Sequence, residues 1–78
     1  MARQYFQQRL FGIHMKQFRE RHDLSQFEMA VLVHCTNTHI ARLEKGIFED
    51  HKMFVILEIC DLMGVDFRSY ISEYQEKF

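Results

Sequence analysis

A chain of 78 residues with a net charge of −1 has room for one hydrophobic core, so we expect residues 1–78 to form a single domain. Nearly half of the residues are apolar, which is enough for a core without metal or disulfide crosslinks, and the absence of proline favours helices over a loop-rich or many-stranded fold. No apolar run is long enough to span a bilayer and the first residues do not follow the plan of a signal peptide, so we expect a cytoplasmic protein, bacterial or phage-encoded.

The net charge conceals an asymmetry between the two parts of the chain. Residues 1–46 carry seven basic side chains against four acidic ones, whereas residues 47–78 carry three against seven. A basic N-terminal part suits a phosphate-bearing partner, but the excess is mild.

Cysteine and histidine positions give no sign of a metal site or a disulfide framework. Cys35 and Cys60 fit no ligand spacing, and we expect both to be small buried residues. His34 and His39 share a region with Cys35, but no acidic residue or second thiol there completes a ligand set. We therefore expect no metal and no small-molecule cofactor.

The apolar periodicity predicts three helices in the first part of the chain. A first helix is expected over about residues 4–22, with Phe11, Met15 and Phe18 on one face. The pattern from Ser25 to Glu28 is a capping box that opens a second helix, which ends near residue 33. A third helix is predicted over about residues 36–45, from an N-cap at Thr36 to a stop at Gly46.

Two further helices are predicted in the second part. Asp50 is expected to cap the fourth, which ends at Gly64, and Asp66 to cap the fifth. The inner face of the fourth should carry Met53, Ile56, Ile59, Cys60 and Met63, and the fifth should carry Phe67, Tyr70, Ile71 and Tyr74. The predicted fold is all-α, a compact bundle of five helices.

Several short motifs in register resemble one family. They are Leu24-Ser25-Gln26, the small residue Ala30, the stretch from Thr36 to Gly46, and the stretch from Ile59 to Asp66. Together these make the segment from about 11 to 71 resemble the Cro/CI-type helix-turn-helix proteins, also called the XRE family. The resemblance implies a lambda-repressor-like DNA-binding domain whose helix-turn-helix is formed by the second and third helices.

The resemblance also implies roles for individual residues. It places Asn37, Thr38 and Arg42 as base contacts in the major groove of double-stranded DNA, because Asn reads adenine and Arg reads guanine. It places Gln26, Thr36 and Lys45 as phosphate contacts, and Arg19 and Glu44 as a structural ion pair. The implied function is a sequence-specific transcriptional regulator of the repressor type that acts as a dimer.

Some apolar residues stand where the family carries polar ones, and they favour a partner surface. Phe27 and Val31 share a face of the second helix, while Ile47 and Phe48 follow Gly46. Phe54, Val55 and Leu62 are expected on the outer side of the fourth helix. One explanation is that the chain itself covers these residues, through the N-terminal extension or the last helix. The other is that they contact a partner.

Two kinds of partner are open. One is a second copy of the chain, which would set two recognition helices one DNA turn apart. The other is a different regulatory protein, in which case the chain would be an antirepressor or modulator working through Phe27, Val31, Ile47 and Phe48. An enzyme is not expected, because the sequence has no nucleophile–base pattern and no glycine-rich phosphate loop.

Overall fold

The computed structural model describes residues 2–48 and 53–75. Within them, four α-helices, one short 3₁₀ helix and a two-stranded antiparallel sheet are formed. In chain order the elements are β1 (Ala2–Phe6), α1 (Gln8–Arg21), α2 (Gln26–Leu32), α3 (Asn37–Glu44), α4 (Met53–Met63), the 3₁₀ helix (Phe67–Tyr70) and β2 (Ile71–Gln75). None of the described helices is long and apolar enough to cross a membrane.

The mostly helical fold is confirmed, but the expectation of an all-α bundle of five helices is wrong at both ends of the chain. α1 begins at Gln8, and the residues before it form β1. The predicted fifth helix is replaced by the 3₁₀ helix and β2, which pairs with β1 in a register that sets Phe6 opposite Ile71. The Gln7 amide donates to the Tyr70 carbonyl at 2.7 Å and continues this pairing. The aromatic residues Tyr5 and Phe6, of a type that favours strands, thus gain a strand partner from the other end of the chain.

The helix-turn-helix starts as its local sequence predicts. The Ser25 hydroxyl accepts from the Glu28 amide at 3.0 Å, and the Glu28 carboxylate accepts from the Ser25 amide at 2.9 Å. These bonds hold the pKa of the Glu28 carboxyl below its usual value. Thr36 accepts from the His39 amide at 3.2 Å and caps α3. Between the helices His34 has φ 58°, the left-handed conformation that glycine adopts more readily.

The core lies between α1 and the helix-turn-helix, and a glycine permits its closest approach. A Cβ on Gly12 would stand 2.4 Å from the Leu43 carbonyl oxygen and 2.9 Å from that of Glu44, so α1 lies directly against the end of α3. The largest fully buried side chains are Phe11, Met15, Met29, Val33, Ile40, Leu43 and Ile59.

An aromatic cluster joins the paired strands to this core. The Phe6 ring lies 4.9 Å from Phe67, 5.1 Å from Phe48 and 5.4 Å from Phe11, measured between centroids. Phe6 therefore packs against the core and does not extend α1. Phe48, expected on a partner surface, is 9% exposed and is also a core residue. Its burial removes it from the predicted partner surface and agrees with the alternative that the chain itself covers it, because the strand pairing brings Phe6 over it.

The buried face of α4 is rotated relative to the predicted one. Ile56, Ile59 and Cys60 are buried as expected, but Val55, expected outside, is buried as well. A stripe through residues 55, 56, 59 and 60 leaves Met53 half-exposed, and Met63 and Leu62 pack at the edge of the core. Phe54 is exposed, as expected. Asp50, the predicted cap of this helix, lies outside the described residues.

Candidate functional site

The outer face of α3 is fixed by two anchors that point into the core. Ile40 and Leu43 are completely buried, so the helix cannot rotate about its axis without exposing one of them. Asn37 and Thr38 at its first turn are exposed, and Arg42 one turn later is half-buried. The three predicted base-contacting residues therefore lie on one helix, with its N-terminal pair exposed to solvent.

Thr36 and Lys45, predicted to contact phosphate, lie at opposite ends of α3. Thr36 is exposed, and its hydroxyl oxygen accepts a hydrogen bond from the His39 amide. The hydroxyl proton of Thr36 therefore stays available for donation. Lys45 is exposed directly after the last residue of the helix. Both have a donor that a phosphate oxygen could accept from.

Gln26, the third predicted phosphate contact, is held by another helix. Its amide nitrogen Nε2 donates to Oε1 of Glu44 at 3.2 Å. A primary amide has two protons, so one remains for a second acceptor. The side chain at the start of α2 is thus positioned by the end of α3.

The ion pair predicted between Arg19 and Glu44 is present and is largely shielded from solvent. Arg19 Nε lies 2.7 Å from Glu44 Oε2 and Nη2 lies 3.2 Å from Oε1, a two-point contact. The side chains are 14% and 4% exposed. The hydrogen bond to Glu44 raises the pKa of Arg19 above its usual value, although burial opposes this. Arg19 also donates to the Leu24 carbonyl at 3.0 Å, which ties α1 to the start of α2.

A groove of about 670 Å³ runs between α1 and the end of α3. We name it the α1–α3 groove, and its lining residues are Arg9, Ile13, Lys16, Gln17, Glu20, Glu44, Lys45 and Gly46. The sequence did not single out Arg9 or Lys16, because a periodic pattern on one helix cannot show which neighbour lies beside it. The signal in the sequence is their spacing, because Arg9 and Lys16 are two turns apart and so share one face of α1.

Only part of the predicted partner surface is exposed in the structure. Phe27 and Val31 are 64% and 59% exposed, as that prediction requires. Ile47 is half-buried and Phe48 is in the core. Phe48 therefore adds nothing to the exposed face of α2, and Ile47 adds only part of its side chain. Leu32 is also half-exposed on the same helix.

The cysteines are both free thiols. Cys60 is buried as expected, whereas Cys35 is only half-buried. Burial raises the pKa of both thiols, that of Cys60 to about 11. No group of three potential metal ligands comes together in the part of the chain that the structure describes.

Comparison with known proteins adds one finding. A family model described as "Helix-turn-helix domain" matches residues 10–69, a span that runs from α1 to the 3₁₀ helix and includes every DNA contact that the sequence predicts. No curated protein matches the chain.

Proposed function

Because the chain belongs to the helix-turn-helix domain family, we propose that it is a sequence-specific DNA-binding regulator of transcription that inserts α3 into the major groove. The proposed activity is binding and not catalysis. It would take place in the cytoplasm of a bacterial cell, on double-stranded DNA and without a cofactor.

One observation carries the proposal. Asn37 and Thr38 are exposed at the N-terminal turn of a helix whose opposite side, Ile40 and Leu43, is completely buried. In helix-turn-helix proteins this end of the recognition helix contacts base edges. Asn37 has the donor and acceptor to pair with adenine, and Arg42 has the donors to pair with guanine, each contact contributing about 1–3 kcal/mol of discrimination.

Phosphate contacts would orient this helix on the duplex. Gln26 is held near the end of α3 by Glu44, and Thr36 and Lys45 lie at the two ends of that helix. Such contacts fix the position of a protein on DNA without reading its sequence.

We further propose that the protein acts as a homodimer. A two-fold dimer sets two copies of α3 about 34–36 Å apart, the spacing of successive major grooves on one side of the duplex. Exposed apolar side chains on α2 and α4, among them Phe27, Val31, Phe54 and Leu57, offer area for such an interface. Sedimentation equilibrium tests this part of the proposal, which a monomer at all concentrations would contradict.

Fluorescence anisotropy with labelled duplex DNA tests DNA recognition. The duplex is taken from the region upstream of the gene, with random-sequence DNA and an Arg42→Ala variant for comparison. We expect tight binding to the upstream duplex, weaker binding to random DNA, and a loss of selectivity in the variant. Equal and weak binding to both duplexes would contradict the proposal.

The alternative function, binding to another regulatory protein, is favoured by the exposure of Phe27 and Val31. Burial of Phe48 removes one of the four residues on which that alternative depends. A Phe27→Ser/Val31→Ser variant distinguishes the two functions. DNA binding through α3 should persist in it, with any loss limited to the affinity that dimerisation adds, whereas a module that works through α2 should lose its partner altogether.

A further inference from the structure

We propose that the α1–α3 groove is a second contact surface for the DNA backbone, in which Arg9 and Lys16 of α1 extend the phosphate contact of Lys45. The inference rests on the proposed function, because it assigns to α1 a share of the same DNA interface. Its occupant is a phosphodiester strand flanking the base pairs that α3 reads.

The arrangement of the cations suits a line of negative charges. Arg9 and Lys16 are seven residues apart on one helix, which is about two turns and roughly 10 Å along its axis. Both are exposed, and both line the groove together with Lys45. Duplex DNA carries a charge about every 1.7 Å of its axis, so it can meet cations spread over this length, which a single small anion cannot.

The acidic residues of the groove offset only part of this charge, because three basic side chains line it against two acidic ones. Glu44 is bound by Arg19 at 2.7 Å and by the Gln26 amide at 3.2 Å, so its carboxylate is already satisfied. Glu20 is the other acid in the lining. Within residues 2–48 and 53–75, Arg9, Lys16 and Lys45 form no ion pair.

The groove is continuous with the edge on which phosphate contacts are proposed. Glu44 lines the groove and also accepts from Gln26 at the start of α2, so one carboxylate lies between the two surfaces. Lys45 belongs to both. A phosphodiester strand that leaves Gln26 and Lys45 can therefore continue over α1, where Ile13 is the exposed apolar side chain of the lining.

A second glycine brings α1 close enough to share this surface. Gly46 has φ 81°, and a Cβ there would stand 3.2 Å from the Arg9 Cα. The turn after α3 thus lies against the first turns of α1. A larger residue at this position would move Arg9 away from Lys45.

The test compares two variants of the full chain that lose the same two charges. One is Arg9→Gln/Lys16→Gln, and the control is Arg21→Gln/Arg68→Gln, in which both residues are exposed and outside the groove. Anisotropy is measured with a random-sequence duplex between about 50 and 200 mM salt, where each phosphate contact contributes a slope of about 0.9 to log K against log salt. We expect the slope of log K against log salt to be shallower by about two in the groove variant than in the wild type. The control variant should have the wild-type slope.

The outcomes separate the two proposals. Equal slopes for both variants, with the wild type still bound, would overturn the groove and leave the proposed function intact. No salt-dependent DNA binding by the wild type would overturn both. A charge-retaining Arg9→Lys/Lys16→Arg variant should keep the wild-type slope, and loss of slope in it would also count against the groove. Thermal unfolding checks that all variants fold, as the exposure of the substituted residues leads us to expect.

Discussion

Gln26 and Glu44 lie on different helices of the helix-turn-helix, and the Gln26 amide nitrogen donates to the Glu44 carboxylate at 3.2 Å. The same carboxylate accepts two bonds from Arg19 of α1. One buried acid therefore fixes three helices relative to one another at the corner where DNA contacts are proposed. The positions of Gln26 and α3 therefore depend on the Arg19–Glu44 ion pair.

Replacing Arg19 by alanine should destabilise the fold strongly. Glu44 is 4% exposed, so the variant leaves a buried charge without its main partner, a change that costs about 3–5 kcal/mol. Urea unfolding measures the loss. An Arg19→Ala/Glu44→Gln variant should recover part of it, since the buried charge is then removed. A loss below about 1 kcal/mol, as for an exposed pair, would contradict the shielding seen here.

Replacing Gly12 by alanine should destabilise the packing of α1 on α3. The added Cβ would meet the Leu43 carbonyl at 2.4 Å, and this is backbone that cannot move aside as a side chain can. We expect a net loss of about 1–3 kcal/mol, although alanine is the better helix former by about 1 kcal/mol. Thermal unfolding measures it, with the exposed Gln17→Ala in the same helix as control. An unchanged or higher melting temperature for Gly12→Ala would show that the helices are not in direct contact.

Sequence reasoning located the helix-turn-helix because its signals are local. The Ser25–Glu28 capping box and the Thr36 cap depend on residues three positions apart, and both form as predicted. Pairing of β1 with β2 joins opposite ends of the chain, and no local pattern specifies a partner so distant. Missing that pairing led to the wrong expectation of helical residues 4–7, and it left open whether Phe48 is covered by the chain itself or belongs to a partner surface. Arg9 escaped notice for the same reason, because its neighbour Gly46 is distant in sequence.

Stability should fall in alkaline solution as Cys60 ionises. Burial raises the pKa of this thiol from 9.0 to about 11, so the folded chain holds the proton more tightly than the unfolded chain does. The protonated thiol thereby adds at most about 3 kcal/mol to the free energy of unfolding. This contribution is complete below pH 9 and is lost as pH rises towards 11. Burial also raises the pKa of Tyr70, which adds a loss in the same direction.

Urea unfolding at a series of pH values measures this effect in the wild type and in Cys60→Ala. The variant should be less stable at neutral pH, because it leaves a small cavity, but its stability should decline less steeply above pH 9. Parallel curves for the two proteins would contradict the assignment to Cys60.

Replacing His34 by glycine should raise the stability modestly. His34 adopts φ 58°, which costs a residue with a Cβ about 1–2 kcal/mol. The variant loses a contact between His34 Nδ1 and Glu58 Oε2 at 2.9 Å, but the histidine side chain is 78% exposed and such pairs contribute little. Glycine's greater freedom in the unfolded chain offsets some of the gain. Thermal unfolding of His34→Gly and of Glu58→Gln separates the terms, and a large loss in both would show that the contact with α4 outweighs the strain.

The most direct test of the DNA-binding surface is a residue-resolved one. Amide chemical shifts of the isotope-labelled protein are followed by NMR while the upstream duplex is added. We predict that the largest changes fall on Asn37, Thr38, Arg42 and Gln26, with little change at Ser69, an exposed residue of the 3₁₀ helix outside every proposed contact surface. Changes confined to the Phe27 and Val31 face, or no saturable change at α3, would contradict the claim that α3 is the recognition helix.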